Sequence, residues 1–498
     1  MTKYVLALDQ GTTGTTAILF DRDTQPAARV TLELPQHYPQ PGWVEHDAEA
    51  IWRLTREAAA QALAAAGARA EDLAAIGLTN QRETVVLWER ATGAPIGRAL
   101  VWQDRRTAEF CAELAARPGL AEDLRTRTGL VIDPYFSASK ARWLLAHTPG
   151  LRARAERGEI AFGTIDSWLL HKLIGAHLTD PSNAARTQLF NIHEGRWDPA
   201  LLALFEIPEP MLPALAPSSG VLGETNLGGL LDRPVPVAGV AGDQQAALFG
   251  QGCFASGKAK VTYGTGAFLL LHTGQAAAPA PGGLLSTIAW RLPGAPMEYA
   301  LEGAILVAGA AVQWLRDGLG LIAHAAETEA LAASLPGNEG VYFVPALTGL
   351  GAPHWDPYAR GLMVGLTRGT GRAHLARAAL EAIAYQTLDV VRAMEAAAGV
   401  PLRELRADGG ASANAFLMQF QADLLGAPVL TPEVAETTAL GAAYLAGLAV
   451  GFWADRAEIE AKWRLARAYE PRMSSDQREA LHAKWLDAVS RAKGWAGP

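Results

Sequence analysis

Five stretches of this chain place acids, an arginine, hydroxyls and glycines where an apolar run stops. The first is YVLALDQGTTGTTAILFD, residues 4–21. Asp9 ends its first apolar run, and Gln10, Gly11, Thr12, Thr13, Gly14 and Thr15 follow before the second. Glycines let backbone N–H groups approach a ligand closely, and successive N–H groups and hydroxyls make an anion nest. An acid beside the nest repels a bare phosphate but holds Mg²⁺, directly or through water. The chemistry this points to is binding of Mg²⁺–nucleotide phosphates. The plain alternative is an ordinary hairpin with a Thr-rich turn. The second stretch is Asn80-Gln81-Arg82-Glu83, after the apolar residues 74–79. A guanidinium offers five fixed donors and a carboxylate a double acceptor, a set that suits the hydroxyls of a small polyol. Here the alternative is a solvated turn between two strands.

The third stretch is PVPVAGVAGDQQAALFG, residues 234–250. It puts Asp243 at the carboxyl end of a strand and the start of a helix, where open α/β sheets bind ligands. A helix N-cap is the simpler role for that residue. The fourth, AKVTYGTGAFLLLHT at 259–273, is strand–Gly-Thr-Gly–strand and echoes the opening hairpin, as a duplicated domain would. Just before it, GCFASGK imitates the start of a P-loop, but Ala259 stands where the Mg²⁺-binding hydroxyl belongs. It also follows a helix and precedes a strand, the reverse of the required context, so it reads as a linker turn. The fifth, LRADGGASAN at 405–414, runs strand, double glycine, helix start. Helix N–H groups and glycines there admit a nucleotide, and a plain strand–helix turn is the alternative.

The elements that must carry these stretches alternate between strand and helix. A third strand is expected at 27–35, a Pro-rich loop at 35–46, and a helix capped by Asp47 running to about residue 66. Strands follow at 84–88 and 99–104, the latter ending near Trp102, with a helix at 105–116. Pro134 forces an extended residue before it, so Tyr135 sits in a loop, where a surface packing role is ordinary. Further on come a strand at 299–303, a helix at 304–315, a strand at 341–345 and a long helix at 372–397. The helix after Asn414 is closed by Gly426, and residues 454–498 read as charged and helical.

Composition narrows the class. The 498 residues are 50% apolar, enough for two or three domains with large cores. A net charge of −8 with no basic stretch argues against nucleic acid as a partner. Two cysteines leave no disulfide framework. No leader-like segment opens the chain, and the apolar run at 439–453 is short of the roughly 20 residues that span a bilayer. A cytoplasmic protein without membrane insertion is expected.

Taken together, LALDQGTTG, PGWVEHD, GLTNQRET, GLVIDPYFSASK, AGDQQAALFGQ, TYGTGAF, ALEGA, GLGAPHWDPYARG and DGGASANAFLMQFQADLLG make the chain resemble the FGGY carbohydrate kinases. NQRET, GLVIDPYF and AGDQQAALFGQ resemble the members that phosphorylate glycerol. The resemblance implies an α/β fold of two duplicated ribonuclease H-like domains, of the actin/hexokinase type, facing an ATP and substrate cleft. Residues 1–251 would form the N-terminal domain, 252–450 the C-terminal domain and 451–498 a helical tail. It further implies Mg-ATP-dependent phosphorylation of glycerol to sn-glycerol 3-phosphate by a homodimer or homotetramer. By the same resemblance Asp9 helps bind Mg²⁺, and Thr12, Thr13, Gly14 and Thr265 contact phosphates. Gly309, Gln313, Gly410 and Asn414 line the nucleotide pocket. Arg82, Glu83, Tyr135, Asp243 and Gln244 hold glycerol hydroxyls, Trp102 and Phe268 pack on its carbon chain, and Asp243 is the general base. The chain departs from the family at Thr16, where an arginine is frequent, and at Asp104, where cysteine is frequent. A kinase for another polyol or ketose, and an actin- or chaperone-like ATPase, are the other readings of this fold.

Overall fold

The computed structural model describes residues 2–497. The opening hairpin is β1 (Tyr4–Gln10) and β2 (Gly14–Asp21), joined antiparallel, with β3 (Pro26–Glu33) alongside β2. Asp47 accepts from the N–H groups of Glu49 and Ala50 and starts helix α1 (Ala48–Ala66), which Gly67 closes in the left-handed conformation. The face carrying Ile51, Leu54, Ala58 and Ala62 is buried on the first sheet. That sheet is completed by β4 (Leu73–Asn80), β5 (Ser219–Thr225) and β6 (Val235–Gly242), in the order β5-β6-β4-β1-β2-β3. β1, β4 and β6 are parallel, and their apolar runs are buried on both faces. Helix α2 (Asp243–Gly250) leaves the end of β6.

The second sheet repeats the pattern. Its strands are β7 (Lys258–Tyr263), β8 (Ala267–Gly274), β9 (Leu285–Trp290), β10 (Glu298–Ile305), β11 (Glu404–Gly409), β12 (Val429–Pro432) and β13 (Leu465–Tyr469). The order is β9-β10-β8-β7-β11-β12-β13. In both sheets a hairpin strand has a parallel neighbour, then a second, then an antiparallel edge strand. The main helices of this half are α3 (Gly309–Asp317), α4 (Arg372–Ala398), α5 (Ala415–Leu425) and α6 (Thr437–Ala449).

Each half has its own core, and a third cluster joins them. It contains Ala7, Ile18 and Ala75 of the first sheet, Leu270 and Ala300 of the second, and Tyr444 of α6. α6 crosses α2 and lies on the back of the first sheet. Small residues make that crossing close: a Cβ on Gly441 would stand 1.8 Å from the Ala246 carbonyl oxygen, and one on Gly77 2.1 Å from that of Ala442.

Several local expectations are corrected. The strand expected at 99–104 is only Ala99–Leu100, paired with Glu45–His46, and Trp102 lies in the turn beyond it. The helix after it is Ala108–Ala115. Residues 304–308 continue β10 and a bend, and α3 begins at Gly309. Residues 465–469 add β13 to the second sheet, so the last stretch is not all helical. Its alternation is weak because this edge strand exposes four of its five residues.

Candidate active site

Strand register brings the first three chemical stretches to one sheet edge. Gln10 pairs with Asn80, and Asn80 with Gly242, so the residues following β1, β4 and β6 leave the sheet side by side. These are the Gly/Thr turn, Gln81-Arg82-Glu83 and Asp243. In the second sheet Tyr263 pairs with Gly409, which places Gly264-Thr265 beside Gly410.

The first turn has its carbonyls tied to the protein and its N–H groups left over. The Gln10 carbonyl accepts from Gln81 N at 2.7 Å and that of Thr13 from Leu34 N at 2.9 Å. The carbonyls of Gly11 and Thr12 accept from Gln81 Nε2 and Gln36 Nε2 at 3.2 and 2.9 Å. Among the described residues, the N–H groups of Gly11, Thr12 and Thr13 donate to no protein acceptor. Trp102 Nε1 donates to Thr12 Oγ1 at 2.9 Å. An indole N–H only donates, so the Thr12 hydroxyl accepts there and keeps its own proton for another partner. The turn is thus a nest of donors.

Arg82 is buried at the centre of an ion-pair network. Its Nη1 reaches Glu302 Oε2 at 2.5 Å and Gln245 Oε1 at 3.3 Å, and its Nη2 reaches Glu302 Oε1 at 3.1 Å. Nε lies 3.1 Å from Asp243 Oδ1. Arg186 donates from Nε to Glu83 Oε1 at 2.6 Å and from Nη2 to Glu302 Oε1 at 3.1 Å. Burial would push the Glu302 carboxyl up, but the charges of Arg186 and Arg82 and the Arg82 hydrogen bond outweigh it and hold it at about 2. Glu83 has φ +63°, a left-handed conformation that a non-glycine residue holds only when its surroundings impose it. Tyr135 stands edge-on to Trp102, with ring centroids 5.5 Å apart, and over the Arg186 guanidinium.

Asp243 is the first helical residue of α2, and Gly242 occupies the N-cap position, so the capping role is excluded. Asp243 Oδ1 accepts from Gln244 N at 2.7 Å and faces Arg82. Its Oδ2 has no protein donor among the described residues, and the side chain is partly exposed. The Gln244 carboxamide oxygen accepts from Lys260 Nζ, which crosses from the second sheet. In the second half the Gly264 and Thr265 carbonyls accept from the N–H groups of Ala308, Gly309 and Ala310, so the turn rests on the start of α3. Gln313 is exposed one turn along that helix. Asn414 caps α5, accepting from Leu417 N, and donates to Thr328 Oγ1. Gly410 has open space where a side chain would stand, as admitting a flat ligand requires. Phe268 is half-buried on β8 opposite Ala304.

Burial pushes the Asp9 carboxyl up to about 7, with the Asp243 charge adding to the rise and Arg29 opposing it. Two carboxylates sharing a desolvated edge favour a cation between them. No group of three or more His, Cys, Asp or Glu able to cage a metal exists among the described residues. Mg²⁺ fits that donor set, because it takes one or two carboxylates and completes its shell with water and substrate phosphates.

Sequence reasoning did not single out Arg186, Glu302, Gln245 or Lys260. Glu302 and Lys260 each interrupt an apolar strand, and a charge at a buried strand position is the signal that identifies them. The departures also find their places. Thr16 Oγ1 lies 3.0 Å from Thr31 Oγ1 of the neighbouring strand, and Asp104 holds Arg106 and the Val44 N–H.

Residues 4–250 match the N-terminal domain of the FGGY family of carbohydrate kinases, and residues 259–450 its C-terminal domain. The chain is 58% identical over 495 residues to a glycerol kinase of Symbiobacterium thermophilum and 56% identical over 495 residues to glycerol kinase 2 of Thermotoga maritima, covering 99% of each pair. Its fold is similar to the crystal structure of Plasmodium falciparum glycerol kinase with ADP, at TM-score 0.94 and 33% identity, covering 99% of this chain and 98% of that one. It also resembles a xylulose kinase from Rhodospirillum rubrum, at TM-score 0.87 and 26% identity over 98% of both chains. No helix among the described residues is long and apolar enough to cross a membrane.

Proposed function

The chain belongs to the FGGY family of carbohydrate kinases, and on that premise we propose that it transfers the γ-phosphoryl group of ATP to glycerol, giving sn-glycerol 3-phosphate and ADP. The observation that carries this reading is the single sheet edge where a nest of N–H donors, a buried arginine–carboxylate set and a free Asp243 oxygen stand side by side. Phosphoryl transfer asks the protein for positioning and for stabilisation of charge, with a carboxylate to take the proton of the attacking hydroxyl.

The residues divide those tasks. Asp243 Oδ2 takes the proton, while Arg82 and the Gln244 N–H fix Oδ1. Arg82, Glu83, Tyr135 and Gln244 orient the glycerol hydroxyls, and Trp102 and Phe268 cover its carbon chain. The N–H groups of Gly11–Thr13 and the Thr12 and Thr13 hydroxyls take phosphate oxygens from one side of the cleft, and Thr265 from the other. Gly309, Gln313, Gly410 and Asn414 line the place for adenosine. Asp9 would hold Mg²⁺, which when bound neutralises charge on the phosphates. Closure of the two halves keeps water from competing with glycerol for the phosphoryl group. The same reading places the enzyme in the cytoplasm as a homodimer or homotetramer.

The acceptor panel tests it. Turnover with Mg-ATP is measured for glycerol, other short polyols, D-xylulose and other ketoses. Glycerol is expected to exceed every ketose in kcat/KM by at least about a hundredfold, because a buried polar pocket rejects an acceptor that leaves its donors unpaired. A preference for a pentulose would keep the family and overturn the substrate.

A further inference from the structure

We infer that His46 is a positioning residue for the nucleotide phosphates, holding the two glutamines that tie down the Gly11 and Thr12 carbonyls. This rests on the reading of the first turn as a phosphate site. The hydrogen-bond chain has one consistent assignment of protons. Gln36 Nε2 donates to two carbonyls, Thr12 O and Leu34 O, each at 2.9 Å. Carbonyls only accept, so the Gln36 amide orientation is fixed and its Oε1 must accept from His46 Nε2, 2.8 Å away. The ring proton is therefore on Nε2, and His46 Nδ1 accepts from Gln81 Nε2 at 3.3 Å. The other Gln81 amide proton goes to Gly11 O at 3.2 Å, and its Oε1 accepts from Thr84 Oγ1 at 2.9 Å. Every polar atom of the ring and of both carboxamides has a partner.

His46 suits this task because its surroundings are dry. Its side chain is fully buried, and burial, helped by His37, holds the ring down at about 4, so it stays neutral near neutral pH. The backbone at Glu45–His46 pairs with Ala99–Leu100, and the next residue, Asp47, caps α1. The ring thus carries the position of α1 to the turn. With the Thr12 carbonyl held by Gln36, and that of Gly11 by Gln81 together with Gln10 Nε2 at 3.0 Å, the N–H groups of that turn are presented as a set. A turn free to rotate would offer carbonyl oxygens to the phosphates instead.

The test compares His46→Phe, which keeps a ring and loses both hydrogen bonds, with His46→Gln, which restores a donor and an acceptor on one planar group. Steady-state KM values for ATP and glycerol are measured, together with calorimetric binding of ADP in the absence of glycerol. His46→Phe is expected to raise the ATP KM and the ADP Kd at least about tenfold, the size of leaving a buried amide unpaired, with glycerol KM within about twofold. His46→Gln is expected to recover most of that loss. Equal rises in both KM values, or unchanged ADP binding in His46→Phe, would overturn the assignment. If His46→Phe fails to fold, Gln36→Leu removes the same tether from Thr12 at a half-exposed position, and normal ADP binding in that variant would overturn it equally. A wild-type protein that binds ADP but ignores glycerol would count against the proposed substrate and leave the ADP comparison in force.

Discussion

Arg82 directs nearly all of its guanidinium at protein acceptors, Glu302, Gln245 and Asp243, before any substrate arrives. A buried ion pair of this kind is weak as net stabilisation, but loss of one partner leaves a charge stranded. Glu302→Gln would leave the two buried guanidiniums with only Glu83 and the partly exposed Asp243 as carboxylate partners, and is expected to lower stability by roughly 3–5 kcal/mol near neutral pH. The sign of the pH dependence follows from the depressed carboxyl. Glu302 sits at about 2 in the folded protein against an ordinary 4.5, so its contribution is complete above 4.5 and is lost as pH falls through 2. Denaturant unfolding of both proteins across that range is expected to show the gap narrowing with acidity, and a constant gap would contradict it. Asp243→Asn removes the proposed proton acceptor and keeps the shape. It is expected to lower kcat by at least about a hundredfold while ATP KM changes little, and near-normal turnover would contradict the base role. The residues that sequence exposed here, Asp9, Arg82, Glu83 and Asp243, all stand where an apolar run ends. Glu302 was hidden because it lies inside an apolar strand 220 residues from its partner Arg82, and only the folded sheets bring the two together.

The elements owe their geometry to close approaches that only glycine allows. Helices α2 and α6 cross at Gly441 and Gly250, and a Cβ on Gly250 would stand 1.9 Å from the Thr437 carbonyl oxygen. Backbone cannot yield there as a flexible side chain does, so overpacking would push the helices apart. Gly441→Ala is expected to lower stability by about 2 kcal/mol or more in a thermal melt, whereas Gly337→Ala, in open space, is expected to leave it nearly unchanged. Equal melting temperatures for the two variants would show that the crossing tolerates separation. At this scale the sequence was most legible where local signals agree, as in the Asp47-capped α1 ending at Gly67 and in both Gly/Thr hairpins. It was least legible at chain segments whose pairing is imposed from elsewhere. The apolar ALVWQD run looked like a full strand but finds only a two-residue partner, and LARAY becomes a strand only because β12 offers it an edge.

The whole molecule is two copies of one sheet plan joined through an apolar cluster and the α2–α6 crossing. Each copy presents a Gly/Thr turn whose carbonyls are tied back to the protein, by Gln81, Gln36 and Leu34 in one half and by the start of α3 in the other. Neither half is complete alone. The first carries Asp243, Gln244 and Arg82, and the second supplies Glu302 to Arg82 and Lys260 to Gln244. On the proposed function, such a division would couple transfer to closure of the halves around both substrates, and efficient release of ADP is expected to need an acceptor. The most direct test is ADP release from Mg-ATP by the purified full-length protein with and without glycerol. Release is expected to rise at least about a hundredfold when glycerol is added, with sn-glycerol 3-phosphate formed in equal amount. Equal release in the absence of any acceptor would contradict the kinase assignment and identify an ATPase built on the same two sheets.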